Sequence, residues 1–128
     1  VEMVLWALQN SKGGEIFVPK IPSYLITDLA KAISPTSKLV NVGIRPGEKI
    51  HEEMITESDS LNTVDLDIYY AILPSSGKNS VEKYCQITNG KPVAEGFSYN
   101  SGTNEDFLSV EQLSNLIKEE YDSSFKPI

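Results

Sequence analysis

At 128 residues the chain is long enough to bury a core without help from disulfides or metal. Its apolar share of 40% and charged share of 23% are those of a globular protein, and no apolar run nears the ~20 residues that a membrane-spanning helix needs. A formal charge of −7 argues against a binder of phosphate backbones, which carries a clustered basic face, so neither nucleic acid nor membrane is an expected partner.

In chain order, Val1, Val4, Leu5 and Leu8 fall at helical spacing over residues 1–9, and Gly13-Gly14 stops the pattern. The helix starts without a cap and no basic-apolar signal peptide precedes it, so the reading expects further sequence upstream. Glu15 to Val18 is short and β-branched, predicting a strand that leaves through Pro19 and Pro22. Thr27 is placed to cap a helix through Leu29, Ala30, Ala32 and Ile33, and Lys38 to Ile44 reads as a second strand. After the Arg45-Pro46-Gly47 turn, Glu48 to Met54 is expected to be a short helix and Leu66 to Leu73 a strand with Tyr69 and Tyr70 on opposite faces.

Pro74 to Gly77 reads as a turn, Val81 to Thr88 as a strand, Asn89-Gly90 as a turn and Asn100 to Asp106 as a loop. Ser109 with Gln112 forms a capping box, and Val110, Leu113, Leu116 and Ile117 make the apolar stripe of a last helix. The fold class expected is α/β, or α+β for the piece alone: a small mixed sheet with a few helices, residues 1–122 forming one domain and 123–128 a flexible tail. One cysteine and one histidine leave no intramolecular disulfide and no zinc cluster, and Cys85 is expected to fill a strand face. His51-Glu52-Glu53 lacks the second histidine of a zinc-protease helix, so no metal site is expected there, and the acidic stretch from Glu52 to Asp67 lacks the spacing of a calcium loop.

The chemistry concentrates at Arg45-Pro46-Gly47-Glu48. Arginine offers a planar fork that matches phosphate oxygens, Pro46 fixes one backbone angle, and Gly47 permits a positive φ. Glu48 is suited to accept hydrogen bonds from ribose hydroxyls. The competing reading is a surface ion pair between Arg45 and Glu48. Lys20 sits where it can reach a phosphate, or be merely solvated at a strand end.

Three stretches, Gly13 to Ser23, Thr27 to Ala32 and Gly43 to Glu52, resemble the UDP-N-acetylglucosamine 4,6-dehydratase (inverting) family of extended short-chain dehydrogenases, as do Tyr99-Asn100-Ser101 and Phe107-Leu108. The resemblance implies a cytoplasmic NADP-dependent lyase that oxidises C4 of the bound sugar, eliminates water across C5 and C6, and returns the hydride at C6 with inversion at C5. The pathways implied are those of pseudaminic acid, capsule and O-antigen sugars. In that family the C-terminal domain holds the UDP moiety, and the Arg and Glu of its Arg-Pro-Gly-Glu motif correspond to Arg45 and Glu48 here.

The resemblance covers the substrate-binding side only. The sequence has no glycine-rich dinucleotide loop after a strand, and no tyrosine has a lysine four positions on, so NADP and the catalytic residues are expected on a Rossmann domain outside this chain. The chain by itself is expected to be inactive and to expose apolar surface around Val1 to Leu8 that favours self-association, while Arg45, Glu48 and Lys20 are the residues expected to bind the UDP-sugar in the full-length protein. Two other readings stand beside this one: a related nucleotide-sugar epimerase or dehydratase, and a stand-alone interaction module without catalysis.

Overall fold

The computed structural model describes residues 1–74 and 78–128. The elements in chain order are α1 (Glu2–Asn10), β1 (Ile16–Pro19), α2 (Ile26–Ile33), β2 (Glu53–Ile55), β3 (Thr63–Asp65), β4 (Tyr69–Ile72), α3 (Lys78–Thr88), β5 (Lys91–Pro92), β6 (Tyr99–Asn100) and α4 (Val110–Glu120), with a 3₁₀ turn at Glu57–Asn62. They fall into two compact units, residues 1–20 with 53–100, and residues 21–52 with 101–128. Helices and small sheets are mixed as expected for an α+β piece.

The first unit is built on a four-stranded sheet in the order β1-β4-β3-β5, every neighbouring pair antiparallel. Directly opposed residues share a face. Phe17, Ala71 and Val64 therefore point one way, and Val18, Tyr70 and Asp65 the other. On the first face Val64, Ala71 and Leu73 pack against Val81 and Tyr84 of α3, with Phe17, Leu66 and Cys85 closing the cluster. Fully burying each larger aliphatic group contributes roughly 1.5–3 kcal/mol. Trp6 of α1 joins this face by meeting Phe17 edge-on at 5.2 Å and Tyr69 at 4.7 Å. A second, two-stranded sheet pairs β2 with β6.

In the second unit α2 packs on α4, burying Ala32 and Leu113, and the Ser114 hydroxyl donates to the Ala32 carbonyl at 3.2 Å. A parallel bridge joins Ser23 to Phe107. At the end of the chain the Ile128 N–H donates to the Ile33 carbonyl and the Ser34 hydroxyl donates to the Ile128 carbonyl.

Several expectations need correction. Val81 to Thr88 is helical, so Cys85 lies on α3 and not on a strand; Val81, Tyr84, Cys85 and Thr88 stand at i, i+3, i+4 and i+7 on one face, where Val81 and Tyr84 are buried and Cys85 and Thr88 partly so. Lys38 to Ile44 forms no strand, because the Asn41 side chain accepts from the Gly43 N–H at 2.8 Å and Gly43 takes φ +80°, which bends the segment away from any ladder. Glu48 to Met54 is not a helix: the chain bends at Ile50 and His51 and enters β2, which pairs with β6.

Of the strand expected over Leu66 to Leu73, Tyr69–Ile72 forms β4, and Leu66 to Ile68 is the turn that leads into it. Asp67, at φ 75°, turns the chain between β3 and β4, and the Leu66 N–H donates to the Tyr69 carbonyl. Thr27 does not cap α2, whose N-cap is Leu25, two residues earlier, with no side-chain cap bond. The turn expected at Pro74 to Gly77 lies, from Ser75 on, outside the described residues. The first helix, the strand at β1 and the capped last helix are found where the periodicity puts them.

Candidate functional site

Arg45, Pro46, Gly47 and Glu48 make a closed turn in the second unit. The Glu48 N–H donates to the Arg45 carbonyl at 3.1 Å, and Gly47 takes φ +85°, the combination with Pro46 ahead of it that a type II turn requires. The Glu48 carboxylate folds back to accept the Arg45 N–H at 2.9 Å. Its other oxygen stands 3.9 Å from Arg45 Nε. An ion pair that long, on side chains 87% and 50% exposed, contributes about 0–1 kcal/mol. The turn is therefore held by its backbone bonds, and the guanidinium projects into solvent from a rigid base. His51 follows close by and lies against Gly102, where a Cβ would come within 2.9 Å of its ring.

Lys20 belongs to the first unit and is not merely solvated. Its ammonium contacts Asp65 Oδ1 at 2.7 Å and sits 4.6 Å above the ring of Tyr70. The strand register explains the meeting: Val18, Tyr70 and Asp65 are opposed across β1, β4 and β3, and Lys20 continues the Val18 face two residues on. Tyr70 continues into Phe97 and Tyr99, each 5.3 Å away. Burial pushes the Tyr70 hydroxyl pKa up, Lys20 pulls it down, and Asp65 and Tyr99 push it up. Reading along the chain does not join Lys20 to Asp65, because 45 residues separate them and only the sheet register closes that distance.

The same unit carries an open cavity of about 440 Å³ between α1 and β1, lined by Met3, Val4, Ala7, Leu8 and Phe17 with Ser11 and Glu15 at its polar end. Val1 at the N-cap and Val4, Leu5 and Leu8 of α1 are exposed, as the sequence leads one to expect. Glu15 is a fixed group. It accepts from the Ser11 hydroxyl at 2.9 Å and from the N–H groups of Lys12 and Gly13 at 2.7 Å each, and it is hydrogen-bonded to the Tyr84 hydroxyl. Burial raises its pKa, but the bonds from its own backbone N–H, Lys12, Ser11 and Gly13 outweigh burial and hold the carboxyl below its ordinary range. Tyr84 is pushed up to about 12 by burial and then by the Glu15 charge and hydrogen bond.

Among the described residues no three His, Cys, Asp or Glu side chains gather as a metal site, and no helix is long and apolar enough to cross a membrane. Among the described residues, Gly13 and Gly14 precede β1, Gly43 and Gly47 lie in the loop before β2, and none of these opens a helix after a strand.

The family described as polysaccharide biosynthesis protein matches residues 1–74, more than half of the chain. The chain belongs to the polysaccharide biosynthesis protein family. This family member is 42% identical, over 91% of its length, to the UDP-N-acetylglucosamine 4,6-dehydratase (inverting) of Campylobacter jejuni, of which it spans 36%. It is 34% identical, over the same 91%, to the UDP-glucose 4-epimerase of Rickettsia canadensis, of which it spans 35%. Its fold superposes on the X-ray structure of Pen from Bacillus thuringiensis with a TM-score of 0.70 at 29% identity, covering 91% of this chain and 34% of that one. The family resemblance read from Gly13 to Ser23, Thr27 to Ala32 and Gly43 to Glu52 is thereby borne out, and the chain spans between 34% and 36% of these proteins' lengths.

Proposed function

We propose that this chain is the nucleotide-sugar-binding, C-terminal part of a UDP-N-acetylglucosamine 4,6-dehydratase (5-inverting) that serves bacterial surface glycans of the pseudaminic acid, capsule or O-antigen kind. Arg45 contacts the diphosphate and Glu48 the ribose. The observation that carries the reading is the Arg45–Glu48 turn, whose rigid backbone presents an exposed planar cation beside an anchored carboxylate. The 42% identity to a dehydratase of that name supports the same substrate class. The whole protein is read as a cytoplasmic NADP-dependent enzyme. Its NADP is read as bound by a domain outside this chain, so no step through that cofactor is assigned to these residues.

In the full-length natural protein, Arg45→Ala is expected to weaken UDP-sugar binding by about 1.5–3 kcal/mol, the scale of a charge-assisted bond removed from a site. Isothermal titration measures it, and an unchanged dissociation constant removes Arg45 from the site. A related epimerase is the second reading, favoured by the 34% identity to a UDP-glucose 4-epimerase, because contacts to the nucleotide do not read the hexose. Mass spectrometry of the product separates the two: a dehydratase removes one water, whereas an epimerase leaves the mass unchanged.

A further inference from the structure

We propose that the His51 ring, seated on Gly102, is the latch that positions the Arg45–Glu48 turn for the nucleotide, which makes His51 a positioning residue and not a ligand contact. This deepens the reading above and rests on it, and every residue it uses belongs to the second unit. The argument starts from exposure. All residues from Lys38 to Glu52 are exposed, Val42 at 91% and Ile50 at 81%, so no core holds this segment. The hydrogen bonds within it are local: the Gly43 N–H donates to the Asn41 side chain, and two more bonds close the turn. Local bonds set the shape of the turn, whereas its place is set where the segment is tied to another part of the chain.

That tie comes soon after the turn. The Glu52 N–H donates to Ser101 Oγ at 3.1 Å, and the Ser101 N–H donates to the Glu52 carbonyl at 2.9 Å. Beside them the His51 ring lies over Gly102: a Cβ there would stand 2.9 Å from its Cγ, 3.0 Å from Cδ2 and 3.1 Å from Nδ1. An approach that close is open only to a residue without a side chain. The loop under the ring is itself held. The Asn104 side-chain amide donates to the Ile21 carbonyl at 3.1 Å and to Ser23 Oγ at 2.9 Å, and the Ser23 backbone bonds to Asp106 and Leu108 at 2.8 Å each. The three residues from Glu48 to His51 reach at most about 10 Å when extended, so the latch confines the turn and its guanidinium. A cation placed before the ligand arrives costs less to order on binding.

The test titrates UDP into the full-length natural protein and its variants, and follows amide hydrogen exchange across residues 45–48 in each. Gly102→Ala and His51→Ala are both expected to weaken UDP about fivefold and to speed exchange across the turn, with thermal midpoints within about 2 °C of the natural protein. His51→Phe keeps a flat ring over Gly102 and is expected to hold UDP affinity within about twofold. Arg45→Ala joined to His51→Ala should lose less than the product of the two single losses, because a turn without its guanidinium has less to position. Exchange that keeps its natural rate in His51→Ala overturns the latch. His51→Phe as weak as His51→Ala makes the imidazole a ligand contact, and fully multiplying losses with Arg45→Ala separate His51 from the turn; either result overturns the proposal. Unchanged UDP affinity in Arg45→Ala defeats the nucleotide reading and the purpose given to the latch, while the exchange rates still show whether the latch exists.

Discussion

Gly90 sits where a side chain does not fit. A Cβ there would stand 2.5 Å from Val64 Cγ1, 2.8 Å from Leu66 Cδ2 and 3.0 Å from the Asp65 carbonyl oxygen. The Asp65 carbonyl belongs to β3 and Val64 is fully buried, so the cost falls on the strand itself. Gly90→Ala is expected to destabilise the chain by about 1–3 kcal/mol, seen as a lower midpoint in urea at unchanged slope. The Asn89-Gly90 turn was legible for a local reason, since Asn89 takes φ 57° right after α3. Arg45 and Glu48 were legible for the same reason, their contacts all lying within one turn. Lys20 with Asp65 was not, because its partner arrives through strand register.

Among the elements, α4 shows what a sequence states outright. The Gln112 N–H donates to Ser109 Oγ at 3.2 Å, and the Ser109 N–H donates to Gln112 Oε1 at 2.8 Å, so two donors at the helix start are satisfied by side chains three residues apart. Ser109→Ala removes one acceptor and is expected to cost about 1 kcal/mol, measured as a fall in thermal midpoint that Ser109→Asp restores. By contrast α3 hides its type. Tyr, Cys, Ile and Thr favour strands by composition, yet the spacing of Val81, Tyr84, Cys85 and Thr88 matches a helix face, and burial against Val64 and Ala71 decides in favour of spacing. The Lys38 to Ile44 segment fails in the opposite sense. Its residues suit a strand, but a strand exists only where another backbone pairs with it, and the Asn41–Gly43 bond satisfies the chain locally instead.

For the molecule as a whole, with its charge of −7, pH acts through a few groups that folding treats differently from the unfolded chain. Glu15 and Tyr84 are such a pair, and together they tie the end of α1, the Gly13 turn and α3 of the first unit. The folded Glu15 titrates below its ordinary 4.5, so its contribution is fully present above that pH and is lost as pH falls through the lower folded value. The folded Tyr84 titrates at about 12 against an ordinary 10.0, so its contribution is complete below pH 10 and is lost as pH climbs toward 12. Stability should therefore be level through neutrality and fall at both ends. Glu15→Gln is expected to lower stability at neutral pH and shrink the acid slope, because an amide cannot receive all the donors that the carboxylate does. Tyr84→Phe should flatten the alkaline limb, since no phenol remains to ionise on unfolding. Urea unfolding followed by circular dichroism across this range reads both slopes, and an alkaline limb that stays as steep in Tyr84→Phe would place its origin in another group.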